Sequence, residues 1–487
     1  MSPRRRGEAL GLLVGVLLAS CTDDQANVAA PCIASPDTVF EINRDSLRLV
    51  VGAEDFLYAS ASTEGCPYPD FIEAVGAQWT IRDSSVVVWA DTLSRHLVGR
   101  SPGSSVVVVQ WTTRADSLLV TVPDTFPMGP IATVAAGSSA SCAVELSQAL
   151  RCWGEGTSLL GSPTATGAIG SCRGSPCSPM PVGIAGGVHS VQVGDQHACT
   201  LNTAHVARCW GSNFRGQLGI GTYSEVAHVP AAVTGGVAFV SIALGREHTC
   251  GVSTDGTGFC WGGAESGKLG TGQQSMSAAV PTQVAGSYRF VAISARDEST
   301  CAVTTAGAIV CWGQLGAVSS TVAGSEQCSY AGKGGPLIYP CATRPLRMAL
   351  SSTSADTLFA QISGMCGLTT QGSVYCWDAS LGAFAERAGF GPFEALATGS
   401  DGGCGLDAGG AAWCWGIQTG DGTNAHHDQP VPVAGGHVFQ NIARGSSHTC
   451  GVTTGQDVWC WGGNYFGQAG VPLREDTRSP RRVRGQG

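Results

Sequence analysis

A cysteine followed ten residues later by a Cys-Trp pair occurs seven times along the chain, and this recurrence restricts the fold more than any other feature. The copies are Cys142 and Cys152, Cys199 and Cys209, Cys250 and Cys260, Cys301 and Cys311, Cys366 and Cys376, Cys404 and Cys414, and Cys450 and Cys460. Their first cysteines are 57, 51, 51, 65, 38 and 46 residues apart, which leaves room for four short strands per copy. With 69 glycines, 23 prolines and only 13% charged residues, the chain is rich in turns and poor in long amphipathic runs, so it reads as all-β. Seven small sheets around an axis make a seven-bladed β-propeller, expected over residues 130–487.

Cysteines ten apart around a hairpin share strand parity, so both side chains lie on one face and meet across the pair. Symmetric facing needs an odd loop, and a three-residue loop ending in a left-handed residue supplies one. Glycine stands at that third position in four copies, as Gly256, Gly307, Gly372 and Gly410. Seven disulfides within blades are therefore expected, with pairing between neighbouring blades as the competing arrangement. The seven tryptophans after the second cysteine read as packing between adjacent blades rather than a ligand cage. His197, His248 and His448 precede a first cysteine by two residues. Because they recur with the repeat, they read as structural hydrogen-bonding groups rather than metal ligands. The loop cluster His426-His427-Asp428 has no partner motif, and no metal or cofactor is expected.

The connection from each Trp-Gly to the next Pro-x-x-Val strand is uneven. From Trp210 to Pro230 and from Trp261 to Pro281 it is 20 residues, but it is 26 from Trp153 to Pro179 and 33 from Trp312 to Pro345. The longer two hold Cys172 and Cys177, and Cys328 and Cys341. Zinc bound by four thiolates is conceivable, but two loop disulfides suit an exported chain better. Both insertions interrupt the same connection, so both should leave one face of the ring. A stapled loop loses little entropy on binding, and Arg173, Tyr330, Lys333 and Tyr339 are candidate partner contacts.

The run Cys209-Trp210-Gly211-Ser212-Asn213-Phe214-Arg215-Gly216-Gln217-Leu218-Gly219 resembles the regulator of chromosome condensation repeat. Residues 461–470 follow it less closely. The resemblance covers roughly 350 residues and implies a seven-bladed propeller. It implies little about activity, since one scaffold serves unrelated tasks.

The N-terminus supplies the compartment that 21 cysteines require. Met1 to Arg6 is basic, Leu10 to Leu18 is apolar, and Leu18-Ala19-Ser20-Cys21 resembles a bacterial lipobox. Residues 1–20 read as a lipoprotein signal peptide, Cys21 as the acylated residue and 21–30 as a polar tether. An ordinary signal peptide with an incidental Cys21 is the alternative. Residues 31–125 alternate like half-buried strands and resemble a bacterial immunoglobulin-like domain, with Cys32 and Cys66 as its disulfide. The net charge of −9 has no compensating basic stripe, and the tail Arg478, Arg481, Arg482 and Arg484 reads as a solvated end, so no nucleic-acid partner is expected.

No nucleophile elbow, metalloprotease helix or phosphate loop stands out, so the chain does not read as an enzyme. The leading expectation is an extracytoplasmic binding protein of a bacterial cell envelope, held to the membrane by lipid at Cys21 and recognising a protein or glycan through propeller loops. The alternatives are an enzyme with its site at the propeller axis and an envelope structural scaffold.

Overall fold

The computed structural model describes residues 128–155, 170–172, 175–274, 277–316, 322–332, 335–351, 357–473 and 477–486, together with short stretches between 20 and 122. The chain divides into two compact units. One comprises Met1–Leu47, Phe56–Leu97 and Ser104–Thr121; the other comprises Arg48–Asp55, Val98–Gly103 and Val122–Gly487. In the first, the long strands Gly103–Trp111 and Arg114–Val122 lie between Gln78–Ile81 and Ser46–Arg48 in one sheet. Val107, Val109 and Leu118 are buried there. Cys32, Cys66 and residues 1–19 lie outside the described residues, as does the side chain of Cys21.

The second unit holds seven successive antiparallel sheets, each made from consecutive strands. Their inner strands are Ile131–Ala136, Ser190–Val193, Phe239–Leu244, Phe290–Arg296, Phe359–Ser363, Ala395–Gly399 and Phe439–Arg444. Each inner strand packs against the inner strand of the next blade, and that of blade 7 packs against that of blade 1. The seven sheets therefore close a ring. Second strands such as His248–Ser253, Ser299–Thr304 and His448–Thr453 are buried at every position, because both sheet faces are covered by neighbouring blades.

Two irregularities recur. In blades 1, 3, 4, 5 and 7 the inner strand shifts register after its first residue, as between Phe239 and Ser241. A second shift falls at the Trp-Gly step, as between Cys260 and Gly262. Gly262 has φ +103°, and a Cβ there would lie 2.5 Å from the Glu247 carbonyl oxygen, so the step requires glycine. Blade 5 has Asp378 in its place. Its third strand, Val374–Asp378, passes without a register shift into a short turn and the outer strand Ala383–Glu386. Asp378 Oδ1 accepts from the Ser380 and Leu381 amides in that turn.

The ring closes without exchange of a whole strand between its first and last blades. Arg481–Arg482 is the outer strand of blade 7, pairing with Trp459 and Cys460. Two residues of the basic tail thus form an edge strand, while Arg478, Arg482 and Arg484 remain exposed as expected of a solvated end. Arg482 forms an ion pair with Asp457 at 2.8 Å, and Val483 is 1% exposed. Just beyond it, Gly485 accepts from the Met128 amide at 2.6 Å, and Ile131 donates to Gln456 O at 3.0 Å. Met128, Ile131, Val134 and Trp153 share one apolar cluster with Val452, Val458 and Val483.

Candidate functional site

An axial channel of about 430 Å³ is lined by the inner strands of all seven blades. Its wall is built of small groups, including Ala135, Ala243, Ser294, Ser363, Ala397 and Ala443. Glycine ends most of these strands because the blades converge there: a Cβ on Gly445 would lie 1.9 Å from the Gly137 carbonyl oxygen, and one on Gly137 2.4 Å from that of Gly194. The charged groups at this end are paired. Ser138 Oγ donates to Asp195 Oδ1, and Arg296 Nε lies 3.4 Å from Asp297 Oδ2. Between blades 3 and 4, Lys268 is fully buried and meets Glu298 at 2.6 Å, Glu265 at 3.3 Å and Glu247 at 3.8 Å. Arg215 adds contacts to Glu265 at 3.3 Å and Glu247 at 3.7 Å. Sequence reasoning missed this cluster. Its signal was a lysine where Gln217 and Gln468 stand in other copies.

The three repeat histidines link blades. His197 Nε2 is 2.7 Å from Thr249 Oγ1, His248 Nε2 is 2.8 Å from Thr300 Oγ1, and His448 Nε2 is 2.6 Å from Ser141 Oγ. Each hydroxyl belongs to the next blade around the ring and donates in turn to a carbonyl, as Thr249 does to Gln217 O at 2.7 Å and Ser141 to Gln468 O at 3.0 Å. The hydroxyl proton is thereby committed, so Nε2–H is the donor and Nδ1 carries no proton. Burial pushes His197 and His448 down to about 3, and burial, with Lys268 and His197 nearby, holds His248 well below the usual histidine value. These are neutral structural groups. Where blade 6 has Gly402 at the histidine position, Arg444 fills the role, donating to Thr449 Oγ1 at 3.0 Å and to Ile417 O at 2.7 Å. Desolvation there lowers its guanidinium to about 10.

The tryptophans also join blades. Trp153, Trp210, Trp261, Trp312 and Trp461 are fully buried. A Cβ on Gly219 of blade 2 would lie 2.7 Å from the Trp261 indole nitrogen of blade 3, and Gly270 and Trp312, and Gly470 and Trp153, repeat the contact. His427 Nε2 lies 3.0 Å from Asp421 Oδ2, while His426 lies 3.6 Å from Asp428. Among the described residues no group of three or more potential ligands gathers around a metal position.

The hairpin cysteines stand directly opposite one another, Cys142 against Cys152 and Cys250 against Cys260. In all seven blades the sulfurs are 2.05–2.13 Å apart and the Cα atoms 4.0–4.1 Å. These Cα distances are shorter than the usual ~5.5 Å because the residues occupy a non-hydrogen-bonded pair of the ladder, where strands approach most closely. Cys328 and Cys341 have sulfurs 1.98 Å and Cα atoms 5.8 Å apart. Cys177 is buried and disulfide-bonded. The side chains of Cys172, Arg173, Tyr330 and Lys333 lie outside the described residues.

Both insertions add a fifth strand to their blades, Gly170–Cys172 against Ser175–Ala185 and Glu326–Gly332 against Gly335–Arg347. Tyr339 departs from its expected role. It is 7% exposed and its hydroxyl lies 2.8 Å from Ser266 Oγ, so its ring anchors the blade 4 hairpin to blade 3 and is not offered to a partner. Ile338, half exposed, points the other way from the same strand.

Models of the regulator of chromosome condensation (RCC1) repeat match residues 209–252, 255–303, 239–268 and 439–468. The Ultraviolet-B receptor UVR8 of Arabidopsis thaliana is 30% identical over 142 residues, which are 28% of this chain and 32% of that protein. The human protein named "Probable E3 ubiquitin-protein ligase HERC6" is 32% identical over 101 residues, 20% of this chain and 10% of its own length. The chain thus spans about a third or less of these relatives. The solved structure of human WBSCR16 aligns with 76% of this chain and 87% of that one, at 18% identity and a TM-score of 0.41. Residues 209–303 and 439–468 are thus similar to the regulator of chromosome condensation repeat, and they lie in blades 2, 3, 4 and 7 of this seven-bladed propeller.

Proposed function

We propose that the chain is an exported, lipid-anchored binding protein whose propeller loops recognise a protein or glycan outside the cytoplasm. The observation that carries this reading is the common placement of the two long connections. In an antiparallel meander every third-to-outer connection leaves the same end of the ring, and among the described residues those of blades 1 and 4 alone are extended by a fifth strand. The close sulfurs of Cys328 and Cys341 support a loop that enters a complex already ordered. Arg173, Tyr330 and Lys333 are the proposed contacts, joined by Ile338. On this reading a lipid at Cys21 holds the chain to a membrane, and residues 31–125 resemble an immunoglobulin-like domain.

The test replaces residues 329–337, and residues 156–174 together with Cys177→Ala, by short turns, together and singly, keeps Cys328, Tyr339 and Cys341, and measures capture of envelope components by protein that retains a cooperative unfolding transition. Capture should fall at least tenfold. Undiminished capture by the folded double variant overturns the loop assignment. Separately, Cys21→Ala should abolish acylation and release the protein from membranes, and an unchanged mass and membrane retention would remove the anchor.

A further inference from the structure

At the opposite end of the ring, where second-to-third strand hairpins gather, a cleft of about 870 Å³ opens between blades 5 and 6. It is lined by the blade 5 hairpin around Thr370 and Gln371, the connection through Gly391 to Glu394, and Asp407 and Trp413 of blade 6. Trp413 immediately precedes Cys414, and its counterpart in blade 7 is Trp459, which precedes Cys460. The two are covered differently. The Trp459 ring carries the His437 imidazole, with ring centroids 4.0 Å apart. His437 lies two residues before the first residue of its inner strand, Phe439; the same position before Phe393 is Gly391. No side chain can be placed there, since a Cβ on Gly391 would lie 2.5 Å from the Gly372 carbonyl oxygen. Trp413 therefore packs against the Phe390 and Phe393 cluster while also facing the cleft.

The polar groups of the cleft give its occupant a sign. Asp407 Oδ2 accepts from the Trp413 indole at 3.0 Å, and Oδ1 from the Gly409 and Ala411 amides. That indole hydrogen bond, foremost, holds the Asp407 carboxyl below its ordinary range, so it stays ionised while fixing the ring. Glu394 is exposed at the rim, with its backbone fixed by Leu406 O and by the Gln361 amide. The lining includes two carboxylates and no lysine, arginine or histidine.

We infer that this cleft is a binding site for a basic side chain, best an arginine, presented by an extended segment of a partner protein. A guanidinium laid on the Trp413 face would take the place that an imidazole takes on Trp459, with Glu394 as its counter-ion. The site is separate from the insertions of blades 1 and 4, so either can fail without the other.

Calorimetric titration of the full chain with tri-arginine, tri-lysine, tri-glutamate and the neutral sugar cellotriose tests this. Tri-arginine should bind saturably, more tightly than tri-lysine, and lose affinity as salt rises; tri-glutamate and cellotriose should not bind. Trp413→Leu should weaken tri-arginine about tenfold and the exposed Glu394→Gln about threefold. Trp459→Leu should leave it unchanged. If Trp413→Leu fails to fold, Glu394→Gln carries the test. Saturation by cellotriose in place of tri-arginine, equal binding of tri-glutamate, absence of binding, or full affinity in a folded Trp413→Leu or in Glu394→Gln would each overturn the inference.

Discussion

At the residue scale, the sixth position after each first cysteine is left-handed in every blade. It is glycine in four, Gly256, Gly307, Gly372 and Gly410, with φ from +73° to +85°. It is Gln148, His205 and Gln456 in the others, with φ of +65°, +60° and +66°. The turn is the same throughout, its amide donating to the carbonyl three residues earlier. The turn geometry thus prevails over residue preference, and the non-glycine copies carry a cost of about 1–2 kcal/mol each. Gln148 is exposed, so Gln148→Gly should raise stability by up to about 1 kcal/mol, after the entropy lost by glycine. Gly372→Ala, whose Cβ would lie 2.8 Å from Phe393 O, should cost at least ~2 kcal/mol in chemical denaturation. The buried histidines give a second expectation. With His197 and His448 lowered to about 3 and His248 held well below its usual value, the unfolded chain binds more protons from about 6.5 down to those lowered values, so stability is complete above that range and is lost as pH falls through it. Each contributes a slope of about 1.4 kcal/mol per pH unit. Measured between pH 5 and 6.5, where carboxylates stay ionised, His248→Asn should remove one such increment from the slope.

At the scale of the element, the hairpin with its cysteine pair was legible because everything that specifies it lies within a dozen residues. Parity, loop length and one left-handed residue place the sulfurs opposite each other. The seven pairs are not equally protected. In six blades both cysteines are buried, while Cys366 and Cys376 of blade 5 are partly exposed. Blade 5 lacks the glycine after its tryptophan and has only a short turn before its outer strand. Limited reduction followed by alkylation should therefore label Cys366 and Cys376 before any other hairpin pair. Replacing both Cys250 and Cys260 by alanine should lower stability by about 2–3 kcal/mol from the loop term alone. A denaturation midpoint that this double change leaves unaltered would mean that the pair is not oxidised.

At the scale of the whole molecule, stability depends on contacts between the ends of the ring. Gln486 Nε2 donates to Val458 O at 2.9 Å, and its Oε1 accepts from Val458 N at 2.7 Å, so one side chain does what a further pair of strand residues would do. Gln486→Ala leaves the amide of buried Val458 without its partner, while the Val458 carbonyl still accepts from the Val483 amide at 3.0 Å, and should cost about 1–3 kcal/mol, read as a lower midpoint in urea. Because the first and last blades share an apolar cluster, the loss should reach residues near Met128. Hydrogen exchange at Ile131 should rise together with exchange at Val458.

The sequence by itself determined the repeat, the number of blades, the parity of the cysteines and the separation of structural tryptophans and histidines from functional ones, since each follows from spacing within one copy. Tertiary structure decided what depends on which blades become neighbours. Ser141 and His448 are 307 residues apart, yet they meet because blade 1 follows blade 7 around the ring. Arg444 serves a hydroxyl for which blade 6 supplies no histidine, a substitution invisible until Thr449 and Ile417 are brought together. The strand pairing of Arg481 and Arg482 was not legible because local composition cannot reveal a vacant outer edge on a sheet whose other strands begin at Phe439. Tyr339 reads as a surface group in the sequence because its partner Ser266 lies in the preceding blade. The Trp413 ring facing the cleft required one further fact: Gly391 stands where its neighbour carries His437, and only the packed backbone at Gly372 shows that no side chain could stand there instead.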